Sequence, residues 1–148
     1  MSKWFYDGGW VESIQKFPEN TYGFVYITTH MSSGKSYIGK KALYHNVKKK
    51  LTKNQLAEQT GRGRKPTTEV VQKESDWKTY YGSAKPILDL IKEGKQSEFS
   101  REILIFTPNK KLHTYYENKF LFIKGVIEPD SNYINDNIEG RYFRKDFL

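Results

Sequence analysis

Two short runs, Tyr22 to Thr29 and Lys35 to Gly39, concentrate β-branched and aromatic residues on either side of His30-Met31-Ser32-Ser33-Gly34. Strand-forming runs bounded by turn residues predict a β-hairpin. Residues 42 to 75 then lose clear periodicity, include Gly61-Arg62-Gly63-Arg64 and Pro66, and read as a long insertion with a short helix around Leu51 to Glu58. Periodicity returns at Ile87, Leu88 and Ile91, an apolar stripe for which Ser83 is the expected N-cap, Pro86 a first-turn residue and Gly94 the stop. Arg101 to Thr107 reads as a buried strand. Asn109 is placed to cap a second helix with Leu112, Tyr115, Tyr116, Phe120 and Ile123 as its buried side and Gly125 as its end. Residues 1 to 21 scatter Trp4, Phe5, Tyr6, Trp10 and Phe17 between Gly8-Gly9 and Pro18, as an arm packing onto the rest would, and an extended or irregular tail closes the chain. This order predicts an α+β domain: a small mixed or antiparallel three-stranded sheet flanked by helices, with a long basic insertion after the first hairpin.

Composition narrows the class. At 148 residues, with 36% hydrophobic side chains including 9 Phe, 11 Tyr and 3 Trp, the chain is sized for one domain with its own core, residues 1–148. It has no cysteine, which excludes disulfides and cysteine-based zinc sites. The first residues have no apolar signal region and no run approaches the roughly 18 apolar residues of a membrane span, so the expected location is the cytoplasm, with no membrane partner.

The formal charge of +8 is concentrated. Residues 40 to 65 hold nine basic side chains (Lys40, Lys41, Lys48, Lys49, Lys50, Lys53, Arg62, Arg64 and Lys65) against Glu58 alone. A localised positive field suits a phosphate backbone, which binds by counterion release. The other readings are a solvated loop and an anionic membrane surface, but the segment lacks the aromatic face that anchors a membrane helix. Nucleic acid is therefore the expected partner, double-stranded DNA first. RNA stays open because phosphate contacts discriminate sugars poorly. A homo-oligomer is compatible with this reading.

Chemistry centres on the hairpin. If Thr29 and Gly34 close its loop, Tyr26 lies directly opposite Tyr37 on one face. Lys40 and Lys41 would stand beside the two phenols, and Gly39 would remove a side chain where a phosphate could approach. Two tyrosines that are simply half-buried strand formers are the plain alternative. Gly23-Phe24-Val25-Tyr26-Ile27 followed by Tyr37-Ile38-Gly39 resembles the motif of the GIY-YIG nuclease superfamily, the second half completely. Three further features match that resemblance: Glu117 in the later helix, Asn135 in Tyr133-Ile134-Asn135-Asp136-Asn137 with Asn137 as its alternative, and the segment Asp76-Trp77-Lys78-Thr79-Tyr80-Tyr81-Gly82-Ser83, similar to one in small bacteriophage members. The resemblance covers roughly residues 22 to 140.

That resemblance implies a DNA endonuclease of GIY-YIG-like fold, phage or mobile-element encoded and acting in a host cytoplasm. It further implies one Mg2+ (or Mn2+) held by Glu117, with Tyr26 orienting or deprotonating the attacking water, Tyr37 on the reacting phosphate and Asn135 in support. A hard cation can be held by a single carboxylate plus phosphate and water. A phenol of ordinary pKa is a poor base at neutral pH, so a base role requires the metal or a cation from Lys40, Lys41 or Lys78 to lower it. Gly39, Lys48, Lys49, Lys50, Lys53, Arg62, Arg64, Lys65 and Lys78 are the expected nucleic-acid contacts.

The chain departs from the family pattern where an arginine follows the second tyrosine by about ten positions: residue 47 is Val47. Either lysines substitute, or Arg62 or Arg64 serves, or the fold survives as a catalytically weak or inactive binding or inhibitory protein. Glu117-Asn118-Lys119 with Asp89 resembles the tail of another nuclease class that requires a strand, which the helical reading opposes. Gly34-Lys35-Ser36 lacks the preceding glycine of a P-loop and reads as a turn. His30, His45 and His113 have no metal-ligand spacing and read as surface or helix-packing residues.

Overall fold

A computed structural model describes residues 3–148. Two compact units divide the chain: the residues through Leu43 together with Asp76–Leu148, and Tyr44–Ser75.

The first unit begins with β1 (Trp4–Tyr6) and β2 (Gly9–Val11), continues through β3 (Gly23–His30) and β4 (Lys35–Ala42), and resumes after the second unit. The second unit holds β5 (Tyr44–Lys50), α1 (Lys53–Ala57) and β6 (Thr68–Glu74). Then follow α2 (Lys85–Lys92), β7 (Phe99–Thr107), α3 (Lys110–Ile123), and a terminal ribbon of β8 (Asn137–Ile138) and β9 (Tyr142–Phe143).

The main sheet has the order β2-β1-β7-β3-β4. It is an α+β fold with five strands where three were expected, because the N-terminal arm does not merely pack on the domain. Its strand β1 pairs parallel with β7, Trp4 beside Arg101 and Phe5 beside Glu102.

Strand alternation sends Val25 and Ile38 to one face, where Leu121, Val126, Ile127 and Ile138 bury them. The other face carries Trp4, Phe24 and Tyr26 under Phe17 and Trp77. Side chains of this second face hold the segment that leads into α2. Trp4 Nε1 donates to the Trp77 carbonyl at 2.7 Å, and Thr28 Oγ1 to that of Tyr81 at 2.7 Å. The Arg101 guanidinium donates to the Lys78 and Tyr80 carbonyls at 2.9 and 2.8 Å. Arg101 lies over the rings of Trp4 and Tyr81, and burial pushes its pKa down to about 10, which still leaves it cationic at neutral pH.

Both main helices lie where periodicity put them, with corrected details. The N-cap of α2 is Ala84, not Ser83, whose hydroxyl is engaged elsewhere; Pro86 opens the helix and Gly94, at φ +78°, lets the chain leave it. Ile87 is buried while Leu88 is exposed. Asn109 caps α3 by accepting the Leu112 N–H. Its buried side is His113 and Leu121, with Tyr116 and Phe120 packed beside them, whereas Leu112, Tyr115 and Ile123 face solvent. The strand that the other nuclease class requires of Glu117-Asn118-Lys119 is absent, since all three lie inside α3.

The segment expected to be a loop with one helix is a hairpin carrying that helix at its tip. In it β5 and β6 pair antiparallel over seven residues, and Thr52 and Gln55 form a capping box at α1. None of its side chains is buried, so no apolar face announced the strands.

Candidate functional site

The site builds on the β3–β4 hairpin. Strands resume directly at His30 and Lys35, with Gly34 at φ +73° and its N–H on the His30 carbonyl at 2.8 Å. This sets Thr28 opposite Tyr37 and Tyr26 opposite Gly39, so the expected direct Tyr26–Tyr37 pairing is corrected to a diagonal one. A slip of two residues preserves the face, and the two phenols do share it, their rings 6.4 Å apart. A hydrogen bond of 2.9 Å between the Thr29 and Ser36 hydroxyls supports this register.

Gly39 has a concrete steric reason. A Cβ there would sit 2.5 Å from the Tyr26 hydroxyl oxygen and 3.0 Å from Cε1 of Tyr37. The room expected for a phosphate is taken by a phenol, and any side chain at 39 displaces it.

A third tyrosine completes the cluster. Tyr80 stands edge-on to Tyr26 at 5.9 Å. The Tyr37 hydroxyl meets Ser83 Oγ at 3.0 Å. Burial, then the neighbouring Tyr80 and Tyr37 phenols, push Tyr26 well above the usual phenol range; burial raises Tyr37 too. Both keep their protons at neutral pH.

The lysines diverge as neighbours on a strand must. Lys40 turns towards α3 and its Nζ donates to Thr114 Oγ1 at 2.8 Å. Lys41 turns to the tyrosine side, 4.1 Å above the Tyr80 ring, with Nζ 2.6 Å from Asp76 Oδ1.

The outer edge of β4 is occupied group by group. Ser36 exchanges backbone hydrogen bonds with Asn132 and Ile134. The buried Asn135 amide accepts the Ile38 N–H at 3.0 Å and donates to the Ile38 carbonyl at 2.8 Å. Next along, the Glu117 carboxylate lies close to Lys40, whose charge and backbone both draw its pKa down. Glu117 thus reaches the strand edge from α3, close enough that its charge raises both Tyr26 and Tyr37. Burial lifts its own pKa above the usual carboxylate value, against the lowering effect of Lys40. Glu139, on the exposed turn after β8 and hydrogen-bonded to Asn118, adds further negative charge.

Asn135 therefore acts through the strand it clamps. Asn135→Ala leaves the Ile38 N–H and carbonyl unsatisfied at a buried edge, a loss of about 2 kcal/mol. Urea denaturation should show this as a lower midpoint with unchanged slope.

A family model described as "Putative endonuclease segE, GIY-YIG domain" matches residues 4–138. The chain belongs to the GIY-YIG endonuclease superfamily. No curated protein and no solved structure matches it. The GIY-YIG match begins in the arm, consistent with β1 being an integral strand of the sheet rather than an appendage.

In this GIY-YIG domain Tyr26, Tyr37, Gly39, Lys40, Lys41, Glu117 and Asn135 come together within the first unit. Lys78 belongs to that unit as well, exposed beside Trp77. Lys48, Lys49, Lys50, Lys53, Arg62, Arg64 and Lys65 all lie in the second unit, as does Val47 at the position of the family arginine. On the tyrosine face Arg101 faces backbone carbonyls, so it does not stand in for that arginine. Sequence reasoning missed Tyr80, Ser83 and Glu139. The resemblance of Asp76–Ser83 to phage members marked the first two without assigning them chemistry.

Two of the three histidines are tied into the fold. His113 is buried in α3 with Nε2 on the Phe24 carbonyl, and burial lowers its pKa; His30 pairs with Glu98 at 2.9 Å; His45 is exposed on β5. Among the described residues no helix is long and apolar enough to cross a membrane.

Proposed function

We propose that this chain is a metal-dependent endonuclease that hydrolyses DNA phosphodiester bonds, with one Mg2+ or Mn2+ held by Glu117. The observation that carries the reading is the convergence of one partly buried carboxylate and a cluster of protonated phenols at the edge of β4. The donor set fits a hard cation. Among the described residues no three His, Cys, Asp or Glu side chains cluster as an all-protein cage would require, whereas magnesium takes one or two carboxylates and completes its shell with water and substrate phosphate. Bound there, the cation would withdraw charge from the phosphoryl oxygens and acidify a water.

The chain's own groups divide the remaining work. Tyr26, buried and protonated, orients the attacking water as a hydrogen-bond partner. Tyr37, less buried and tied to Ser83, donates to the phosphate. Lys41 supplies the cation on the tyrosine side, a point charge in place of the arginine fork. Lys40 offsets the charge of Glu117 and ties β4 to α3.

Supercoiled plasmid is expected to be nicked or linearised with Mg2+ and untouched in EDTA. Linear RNA tested in parallel is expected to survive. Shifted but uncut plasmid in Mg2+ would instead favour a binding protein that kept the fold without the arginine.

A further inference from the structure

We infer that the β5–β6 ribbon enters the major groove of duplex DNA and reads adenine there through Asn46 and Gln72. The second unit carries eight basic side chains against Glu58, Glu69 and Glu74, a charge suited to a phosphate backbone. The geometry adds more than charge. Seven paired residues make a two-stranded antiparallel ribbon, the one sheet form a major groove about 12 Å wide admits.

The pairing assigns the two faces. One carries Asn46 opposite Gln72, Lys48 opposite Val70, Lys50 opposite Thr68, and Tyr44 with Glu74 at the base. The other carries Val47 opposite Val71, flanked by His45 with Lys73 and Lys49 with Glu69. Only the first presents carboxamides. Asn46 and Gln72 are both exposed, directly opposed, and of the two residue types whose amides pair with the N6 and N7 edge of adenine. Lys48 and Lys50, at alternate positions further along the same face, extend towards the flanking phosphates. The readout thus sits in the hairpin, while the tyrosine cluster handles a phosphodiester of any sequence.

The inference rests on the nuclease reading for its partner, and binding measured without metal separates the two. Full-length protein in EDTA is used to select duplexes from a randomised pool, and affinities for the selected sites are measured by fluorescence anisotropy at several salt concentrations. Asn46→Ala/Gln72→Ala is expected to lose about tenfold of its preference for selected over scrambled duplex with the salt slope unchanged. Lys48→Gln/Lys50→Gln is expected to weaken all duplexes alike and reduce the slope by about two. Replacing adenine by 7-deazaadenine in the selected site should weaken the wild type and leave the amide double variant unaffected. Val47→Thr/Val71→Thr should bind as wild type does.

An unselective wild type, a preference untouched by the amide substitutions, or one lost in the valine variant would overturn the inference. If such a protein still cut plasmid in Mg2+, the nuclease reading would stand without it. Selective binding with no cutting would sink the nuclease reading alone. Thermal melts of each variant confirm that the ribbon is folded.

Discussion

Glu117→Gln protein incubated with Mg2+ and supercoiled plasmid leaves the plasmid intact, with the rate reduced about a thousandfold or more, while its resistance to urea at neutral pH equals or exceeds that of wild type. The first half follows from losing the carboxylate proposed to anchor the cation, whose charge stabilisation would be worth several kcal/mol at about 1.4 per tenfold. The second half follows from the direction of the pKa shift. Burial raises Glu117 in the folded protein above its ordinary value of 4.5, so its protonated form is the one folding favours. That favourable contribution is full below the unfolded pKa and is lost as pH rises through the folded one, leaving an ionised, partly buried carboxylate as a penalty at neutral pH. Glutamine carries no such charge and keeps the shape of the side chain. The stability difference should shrink as the pH falls towards 4. Wild-type cleavage should fail on the same acid side, as Glu117 takes up its proton at a pH raised above its ordinary value by burial. Denaturation midpoints at two pH values, beside plasmid cleavage, check both halves; a Gln variant that still cuts would remove the metal from Glu117.

Tyr26→Phe should cost about a hundredfold in cleavage rate, the loss typical of one preorganised hydrogen bond in an active site. Folding should change by only about 1 kcal/mol, because the ring still fills the space over Gly39 and only the hydroxyl is lost. The pH profile separates two roles. A phenol held well above its usual pKa keeps its proton across the working range, so the variant should show the wild-type profile at reduced height. A profile whose alkaline rise disappears in the variant would make Tyr26 a base instead.

The hairpin, α2, β7 and α3 were legible because each rests on a local signal: two strand-like runs around a turn, a 3.6-residue stripe, an apolar run, an asparagine cap. The same signals carried the face of Tyr26 and Tyr37 but not their register, since periodicity of two is blind to a slip of two residues. Hydrophobicity alone puts Leu112, Tyr115 and Ile123 on the buried side of α3, while His113 lies inside by virtue of its bond to Phe24. The β5–β6 ribbon was illegible because its strands bury neither face and so carry no alternation. Tyr80 joins the site across 54 residues, a contact set by Trp4, Thr28 and Arg101 holding its segment and not by anything adjacent to it. The GIY-YIG resemblance reached Glu117 and Asn135 only because it compares patterns rather than physics.

The occupied rim of β4 also bears on how the protein behaves in a crowded solution. An open strand edge is a template on which a second chain can add itself, and sheets must be guarded against that. Here the guard at Ile38 is Asn135, the support of the proposed chemistry, which pairs with both backbone groups of that residue. The proposed chemistry and resistance to edge-to-edge pairing therefore fall under one constraint: a protein that lost the reaction would still need a side chain that caps those two backbone groups.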